Sequence, residues 1–412
     1  MTSTQDNSAL LLRSKKYAVF WAASLLSNIG TWMQQVAEPW LVLSISGSPF
    51  LLGLDAFAVN GPFWMLTLFG GVLADRRDRA SVIFFFQGIQ MLCLMLIVIL
   101  VATGWIRVWM IIVFSLIAGT TDALSMPAFA SLIPSIIRRK DLGRAIALNS
   151  MQFNLARILG PAIAGLVMLQ YGPVWCFSAN AISFIPFFLS IYWLLPSLEG
   201  AQQQISRQQH QTSLFEGFKA IIRNAKSGWA LLSVFATSFF CSPIIAFSPV
   251  VVKEVLHADV GQFGGVLTAF GIGGIMGPLL ILLTSSRLSP MKLSLIAALF
   301  YGLFVMGVSG VGTTWQLASI LVGSGFLLTV ANASANTFLQ SCASDDNRGQ
   351  TASLFMLAMR GGLSVGDLIT GSMTSLLGVQ HALLINGILA VIIQIFIFWK
   401  MFRREARLHN DV

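Results

Sequence analysis

The feature that most constrains this chain is a repeated alternation of long apolar runs with short charged turns. Residues 71–79 show one tooth of the pattern: Asp75, Arg76, Arg77, Asp78 and Arg79 crowd together between the apolar runs 63–70 and 82–100. Crossing the roughly 30 Å core of a bilayer takes about 20 residues of helix. Runs of that length recur at 17–44, 50–74, 81–103, 106–133, 143–170, 174–195, 229–253, 262–284, 291–311, 314–340, 350–377 and 380–402. The expected fold is therefore an all-α membrane protein of about twelve transmembrane helices, the longer ones tilted or extended beyond the lipid.

Composition excludes a soluble domain. Only 10% of the 412 residues are charged and 56% are apolar, whereas about a quarter of a soluble domain is charged. A net charge of +9 in a soluble chain would suggest nucleic acid, but here the basic residues gather in the short loops, as topology signals do. No nucleic-acid partner is expected; the partners are the lipid bilayer, a small-molecule substrate and protons. Placing both termini in the cytoplasm leaves only Arg107 and Lys253 on the far side, with Arg157 and Arg360 inside helices, out of 25 basic residues. That asymmetry predicts an integral membrane protein with both termini cytoplasmic. The first apolar run lacks a cleavage site at signal-peptide distance and reads as an uncleaved helix. Cys93, Cys176, Cys241 and Cys342 are scattered without metal or redox spacing, so neither a zinc site nor a disulfide framework is expected.

The longest polar interruption, 196–228, is rich in Gln and Ser. It divides the chain into a cytoplasmic tail (1–16), a six-helix bundle (17–195), a cytoplasmic linker (196–228), a second six-helix bundle (229–402) and a second tail (403–412). The linker reads as solvated, with a surface helix around 214–222 as the alternative. The halves match one another in part. A shift of 206 residues lays Gly119 on Gly325, Gly143 on Gly349, Gly160 on Gly366 and Gly165 on Gly371, and a shift of 211 lays Gly53 on Gly264 and Arg76 on Arg287. Internal duplication of this kind builds many transporters, giving two pseudo-symmetric bundles.

Gly71, Asp75, Arg76 and Arg79 resemble the signature between the second and third helices of the major facilitator superfamily. Two positions depart from it: Asp78 stands where a second glycine is usual, and Ala80 replaces the last basic residue. The resemblance implies a gating motif, with Gly71 permitting close helix approach and Asp75 facing the positive end of a helix near residues 349–351. The equivalent segment of the second half, Ser286-Arg287-Leu288, has lost the acid. In the fifth helix Ala156, Gly160, Pro161 and Gly165 resemble the antiporter signature of drug exporters, with alanine at three of its glycine positions, and Pro161 is expected to bend the helix. The phrase from Asn149 through Asn154 and Arg157 to Pro161 is similar to the branch holding siderophore and macrolide exporters. The arginine often found in helix four of that branch is Ser115 here.

Charges inside apolar runs are costly unless paired or facing water, which makes them site candidates. Gln34 and Glu38, four apart, share a helix face; Arg360 and Asp367, seven apart, nearly do. Asp122 and Arg157 lie at similar depth and are expected to pair, and Glu38 and Asp55 to share a site nearer the outside. A carboxylate buried without a cation can load or release a proton near neutral pH, so Glu38, Asp55, Asp122 and Asp367 are the proton-coupling candidates. Gln34, Asn60, Asn154, Arg157, Asn332, Asn336 and Arg360 are candidates for the substrate cavity, although asparagine also joins helices together. Trp32, Trp40, Phe63, Trp64, Met126 and Phe129 suit an amphipathic cargo or, more simply, lipid contact and packing.

Together these features imply a monomeric secondary transporter, without cofactor, that exports an amphipathic drug or siderophore on the proton gradient by alternating access. A symporter or importer, or a lipid or lysolipid translocator, is the alternative within the same fold. No Gly-x4-Gly-Lys-Ser/Thr loop or His-Glu-x-x-His motif is present, so neither ATP drive by this chain nor enzymatic catalysis is expected.

Overall fold

The computed structural model of the chain describes residues 15–76, 78–136, 141–205, 225–283, 289–343 and 347–410, and almost all of them are helical. The helices are α1 (Lys15–Ser46), α2 (Pro49–Asn60), α3 (Pro62–Arg76), α4 (Arg79–Ala102), α5 (Val108–Ile136), α6 (Leu142–Tyr171) and α7 (Pro173–Ile205), followed by α8 (Ala225–Phe240), α9 (Pro243–Ala246), α10 (Ser248–Val250), α11 (Val260–Leu283), α12 (Pro290–Gly307), α13 (Thr314–Cys342), α14 (Arg348–Leu377) and α15 (Val379–Asn410). Among the described residues, 11 helical stretches are long and apolar enough to cross a membrane. The 32-residue α1 is long enough but not among them, because Asn28, Gln34, Gln35 and Glu38 dilute it.

Two expected spans are divided. The run at 50–74 becomes α2 and α3, parted at Gly61; the Pro62 ring has no N–H to continue the ladder. The run at 229–253 becomes α8, α9, α10 and a π-helical turn at Val251–Val255, with Pro243 and Pro249 each opening a new helix. Other boundaries lie further out than expected: α7 continues past Pro196 to Ile205 and α15 to Asn410. The suggested surface helix at 214–222 lies outside the described residues. Asp78, the departure from the family glycine, caps α4 by accepting from the Ser81 N–H at 2.8 Å.

The duplication is written into the backbone. Gly172 ends α6 at φ 84° and Gly378 ends α14 at φ 82°, a left-handed region that side chains disfavour. They are separated by the same 206 residues that superpose the two halves.

The chain forms two compact units, Met1–Leu41 with Met65–His210, and Val42–Trp64 with Gln211–Val412. Lipid supplies no hydrophobic drive between helices, so close van der Waals approach at small residues carries the packing. In the first unit Gly70 abuts the Ala123 carbonyl of α5, where an added Cβ would lie 2.6 Å away, and Gly160 of α6 abuts Trp32 of α1. Phe20, Ile83, Ala128, Phe187 and Ile191 form a buried apolar cluster. In the second unit Gly273 and Gly277 of α11 meet Val322 and Phe326 of α13, and Gly366 of α14 meets Phe239 of α8. Gly160 against α1 thus has its repeat in Gly366 against α8. α2 lies along α14 in this second unit, with Gly53 against Gly371 and the Asp367 carbonyl.

Candidate functional site

In the first unit the polar side chains converge on Glu38, which is 9% exposed. Gln34, one turn earlier on α1, donates from Nε2 to Oε2 at 2.7 Å. Ser115 of α5 donates from Oγ to Oε1 at 2.7 Å. Asn180 of α7 donates from Nδ2 to Gln34 Oε1 at 2.6 Å, and Ser183 Oγ donates to the Asn180 carbonyl at 2.7 Å. Both oxygens of Glu38 therefore act as acceptors, the pattern an ionised carboxylate offers. The chain Asn180→Gln34→Glu38 also has one polarity: by donating to Gln34 Oε1, Asn180 fixes which end of that amide faces the acid. Gly30 makes room for this contact, since a Cβ there would meet Asn180 Oδ1 and Ser183 Oγ at 2.7 Å.

Gln34 and Glu38 share a face as expected. Ser115, which entered only as a missing arginine, is a direct partner of Glu38, and Asn180 and Ser183 were not foreseen. Asp122 accepts from Gln90 Nε2 of α4 at 2.6 Å, with Thr121 on the same amide at 2.9 Å; Gln90 too was missed. A search for amides within apolar runs, rather than charges alone, finds both Gln90 and Asn180. Arg157 is 9% exposed, on the buried face of α6 with Gly160, Pro161 and Gly165. The helix runs unbroken through Pro161. Asn154 turns back on its own helix, donating to the Ser150 carbonyl at 2.8 Å.

The second unit gathers another set. Arg360 of α14 donates from Nη1 to Asn60 Oδ1 at 2.7 Å and lies 4.8 Å from the centre of the Phe63 ring. The Asn60 amide donates its other end to Ala56 O at 3.0 Å, which orients the oxygen toward the guanidinium. Asn332 Nδ2 points to the Met359 sulfur at 3.8 Å, and Asn336 Oδ1 is buried with no hydrogen-bond partner among the described residues. Asp55 is 4% exposed on α2 and Asp367 2% on α14. Glu38 belongs to the first unit and Asp55 to the second. In the gating motif only Gly71 has a described environment, and the close helix approach expected there is not found, since an added Cβ would meet nothing within 4 Å among the described residues; the side chains of Asp75, Arg76 and Arg79 lie outside the described residues.

Apolar spanning helices, a packing pattern repeated between the halves and polar groups buried within the spans together define a transporter of the major facilitator type. The chain belongs to the transmembrane secretion effector family, whose profile matches residues 8–410. It is 22% identical to the staphyloferrin A transporter of Staphylococcus aureus over 396 residues, 95% of this chain and 98% of that protein. It is 24% identical to the enterobactin exporter EntS of Escherichia coli O81 over 381 residues, 90% of this chain and 88% of that one. Two solved structures share the fold. The nucleoside transporter NupG has a TM-score of 0.72 at 15% identity, over 92% of this chain and 98% of that one. A bacterial homologue of the human lysosomal transporter Spinster, inward-facing and unoccupied, has 0.72 at 14%, over 96% and 97%.

Proposed function

We propose that this protein is a secondary transporter of a bacterial inner membrane, with both termini cytoplasmic, that exports an amphipathic small molecule of the siderophore or drug class. Inward flow of protons drives it through alternating access of the two bundles, 17–195 and 229–402, in a single chain. The exporter relatives support the cargo class and direction. The observation that carries the coupling is Glu38, a carboxylate deep in the helices held by Gln34 and Ser115. Neutral donors steady the charged form yet rearrange when the acid takes a proton, so the group can alternate between states. Asp55 and Asp122 remain further proton-coupling candidates, and Asn60, Asn332, Asn336 and Arg360 supply hydrogen bonds and charge for a cargo. Gly71, Asp75, Arg76 and Arg79 serve as the gate by their likeness to the family motif.

The test is purified protein in vesicles carrying an imposed pH gradient, offered a panel of siderophores and amphipathic dyes. Cargo should move opposite to the protons and stop when the gradient is collapsed. Movement in the same direction as the protons would make the protein a symporter, and movement indifferent to the gradient would remove proton drive.

A further inference from the structure

The turn between α4 and α5 sets one cation among aromatic side chains on the surface of the first unit. Arg107 is the only charged residue between Arg79 and Asp122, and it is one of two basic residues on the side that the charge asymmetry assigns away from the cytoplasm. A cation there opposes the bias that orients the chain, so topology does not account for it. The other, Lys253, has a use within the protein: its Nζ donates to Ser44 Oγ at 3.1 Å. The Arg107 side chain is exposed and makes no hydrogen bond or ion pair among the described residues.

The backbone of this turn is tied inward. The Trp105 and Ile106 N–H groups both donate to the Leu100 carbonyl, at 3.0 and 3.1 Å, and Thr103 N–H donates to the Ile99 carbonyl at 2.9 Å. Gly104 supplies the left-handed residue that lets the chain reverse, at φ 73°. Ile106 is buried, and the Arg107 carbonyl receives the Met110 N–H at 3.0 Å to begin α5. Trp105, 75% exposed, and Trp109, 63% exposed, are left outside on either side of Arg107, and neither indole N–H is bonded among the described residues. The three side chains thus offer a guanidinium and two indole donors and carry no acceptor. Broad apolar rings bearing donors suit the interface between acyl chains and headgroups.

We propose that Trp105, Arg107 and Trp109 form a binding site for the phosphodiester of an anionic phospholipid in the leaflet facing away from the cytoplasm. The guanidinium donates to the phosphate oxygens, a charge-assisted pairing that its planar fork favours, while the indole rings lie against the glycerol and the upper acyl chains. A zwitterionic headgroup is disfavoured because its own ammonium competes for the phosphate and repels Arg107. The turn between α6 and α7 shows an aromatic pair without the cation. Tyr171 and Trp175 are exposed and meet edge-on at 6.3 Å, and no charged residue lies between Arg157 and Glu199. That turn suits anchoring at the interface and has nothing to choose one headgroup over another. The leaflet rests on the proposed orientation of the termini; the site itself does not.

The probe is phosphatidylglycerol bearing a photoreactive diazirine near its headgroup, mixed with purified full-length protein in a neutral detergent. Labelling of segment 103–110 is quantified by peptide mass spectrometry, with segment 168–176 as the internal reference. Arg107→Gln should lower labelling of the first segment about fivefold, the worth of one basic residue at an anionic surface, and leave the reference unchanged. Arg107→Lys should retain part of the labelling, Trp105→Ala should lower it, and Lys253→Gln should not affect it. Unlabelled phosphatidylglycerol should compete at a concentration about fivefold below that of phosphatidylcholine. Equal melting temperatures, expected for changes at exposed positions, separate lost binding from lost folding. Equal labelling of the wild type and Arg107→Gln overturns the proposal. Equal competition by phosphatidylcholine overturns its choice of anionic lipid, and displacement by inorganic phosphate alone would make it a site for free anions. Because no transport is measured, a failure of proton-driven export leaves the lipid site standing, and a reversed orientation moves it to the other leaflet without removing it.

Discussion

Glu38 and Asp367 are both acids buried in helices of a duplicated chain, and their surroundings are opposite. Glu38 has a donor on each oxygen, from α1 and from α5. Asp367 has one oxygen, Oδ1, with no hydrogen-bond partner among the described residues. The first environment supplies the donors that an ionised carboxylate accepts from, and the second supplies none to Oδ1. Features of the helix packing recur between the halves, with Gly160 against α1 and Gly366 against α8 and with Gly172 and Gly378 at matching φ, while the polar chemistry laid on them diverged. A scaffold with repeated crossings thus carries two buried acids in unlike surroundings.

The sharpest way to break this contrast is Glu38→Gln. The amide keeps the shape and loses the titration, so gradient-driven export should fall on the order of 100-fold, the scale of losing a proton-transfer group, with binding of cargo preserved. Export surviving in that variant would move the coupling to Asp55, Asp122 or Asp367.

Next in size is Gly366→Val, which tests the packing shared by the two halves. Its Cβ has no space against Phe239, and forcing a side chain into such a contact costs about 1–3 kcal/mol. A fall in melting temperature of the purified protein is expected, with Gly160→Val behaving alike against Trp32. A neutral outcome at one and not the other would show that the repeated geometry is not repeated energetics.

The spans and the duplication were legible because a bilayer imposes length and hydropathy on every crossing. The breaks were not, since proline does not decide them: Gly61-Pro62 parts α2 from α3, whereas Gly160-Pro161 and Gly277-Pro278 stay inside their helices. In membranes neighbouring helices can satisfy the carbonyl that a proline frees, so the result depends on tertiary contacts that a single sequence hides. The site was half legible for a related reason. Charges within apolar runs announce themselves, and Glu38, Asp367 and Arg360 were all visible. The partners Ser115 of Glu38, Asn180 of Gln34 and Gln90 of Asp122 come from other helices, and only the fold brings them together. Ser115 was noticed as the absence of an arginine, and its presence as a donor to Glu38 gives that absence a chemical meaning.

Ser115→Ala should come third. It removes one donor from the acid, and a hydrogen bond to a charged group is worth about 1.5–3 kcal/mol. The expected signature is a shift of the pH profile of export toward higher pH, because the charged form loses support, with a rate loss smaller than that of Glu38→Gln. A falling rate with an unmoved pH profile would assign Ser115 to packing alone.

The smallest effect belongs to Asn180, which never touches the acid. It holds Gln34 by the oxygen end at 2.6 Å and thereby keeps the Gln34 amino group on Glu38. Asn180→Ala leaves Gln34 free to rotate, costing about 0.5–1.5 kcal/mol for a neutral hydrogen bond and several-fold in export. Asn180→Asp separates orientation from occupancy. An ionised aspartate only accepts, so it would draw the Gln34 amino group toward α7 and turn the amide oxygen onto Glu38. That variant should shift the pH profile in the same direction as Ser115→Ala and by more than Asn180→Ala does. Equal profiles for the alanine and aspartate variants would mean that Gln34 does not depend on Asn180 for its direction, and the one-way chain into Glu38 would reduce to Gln34 and Ser115.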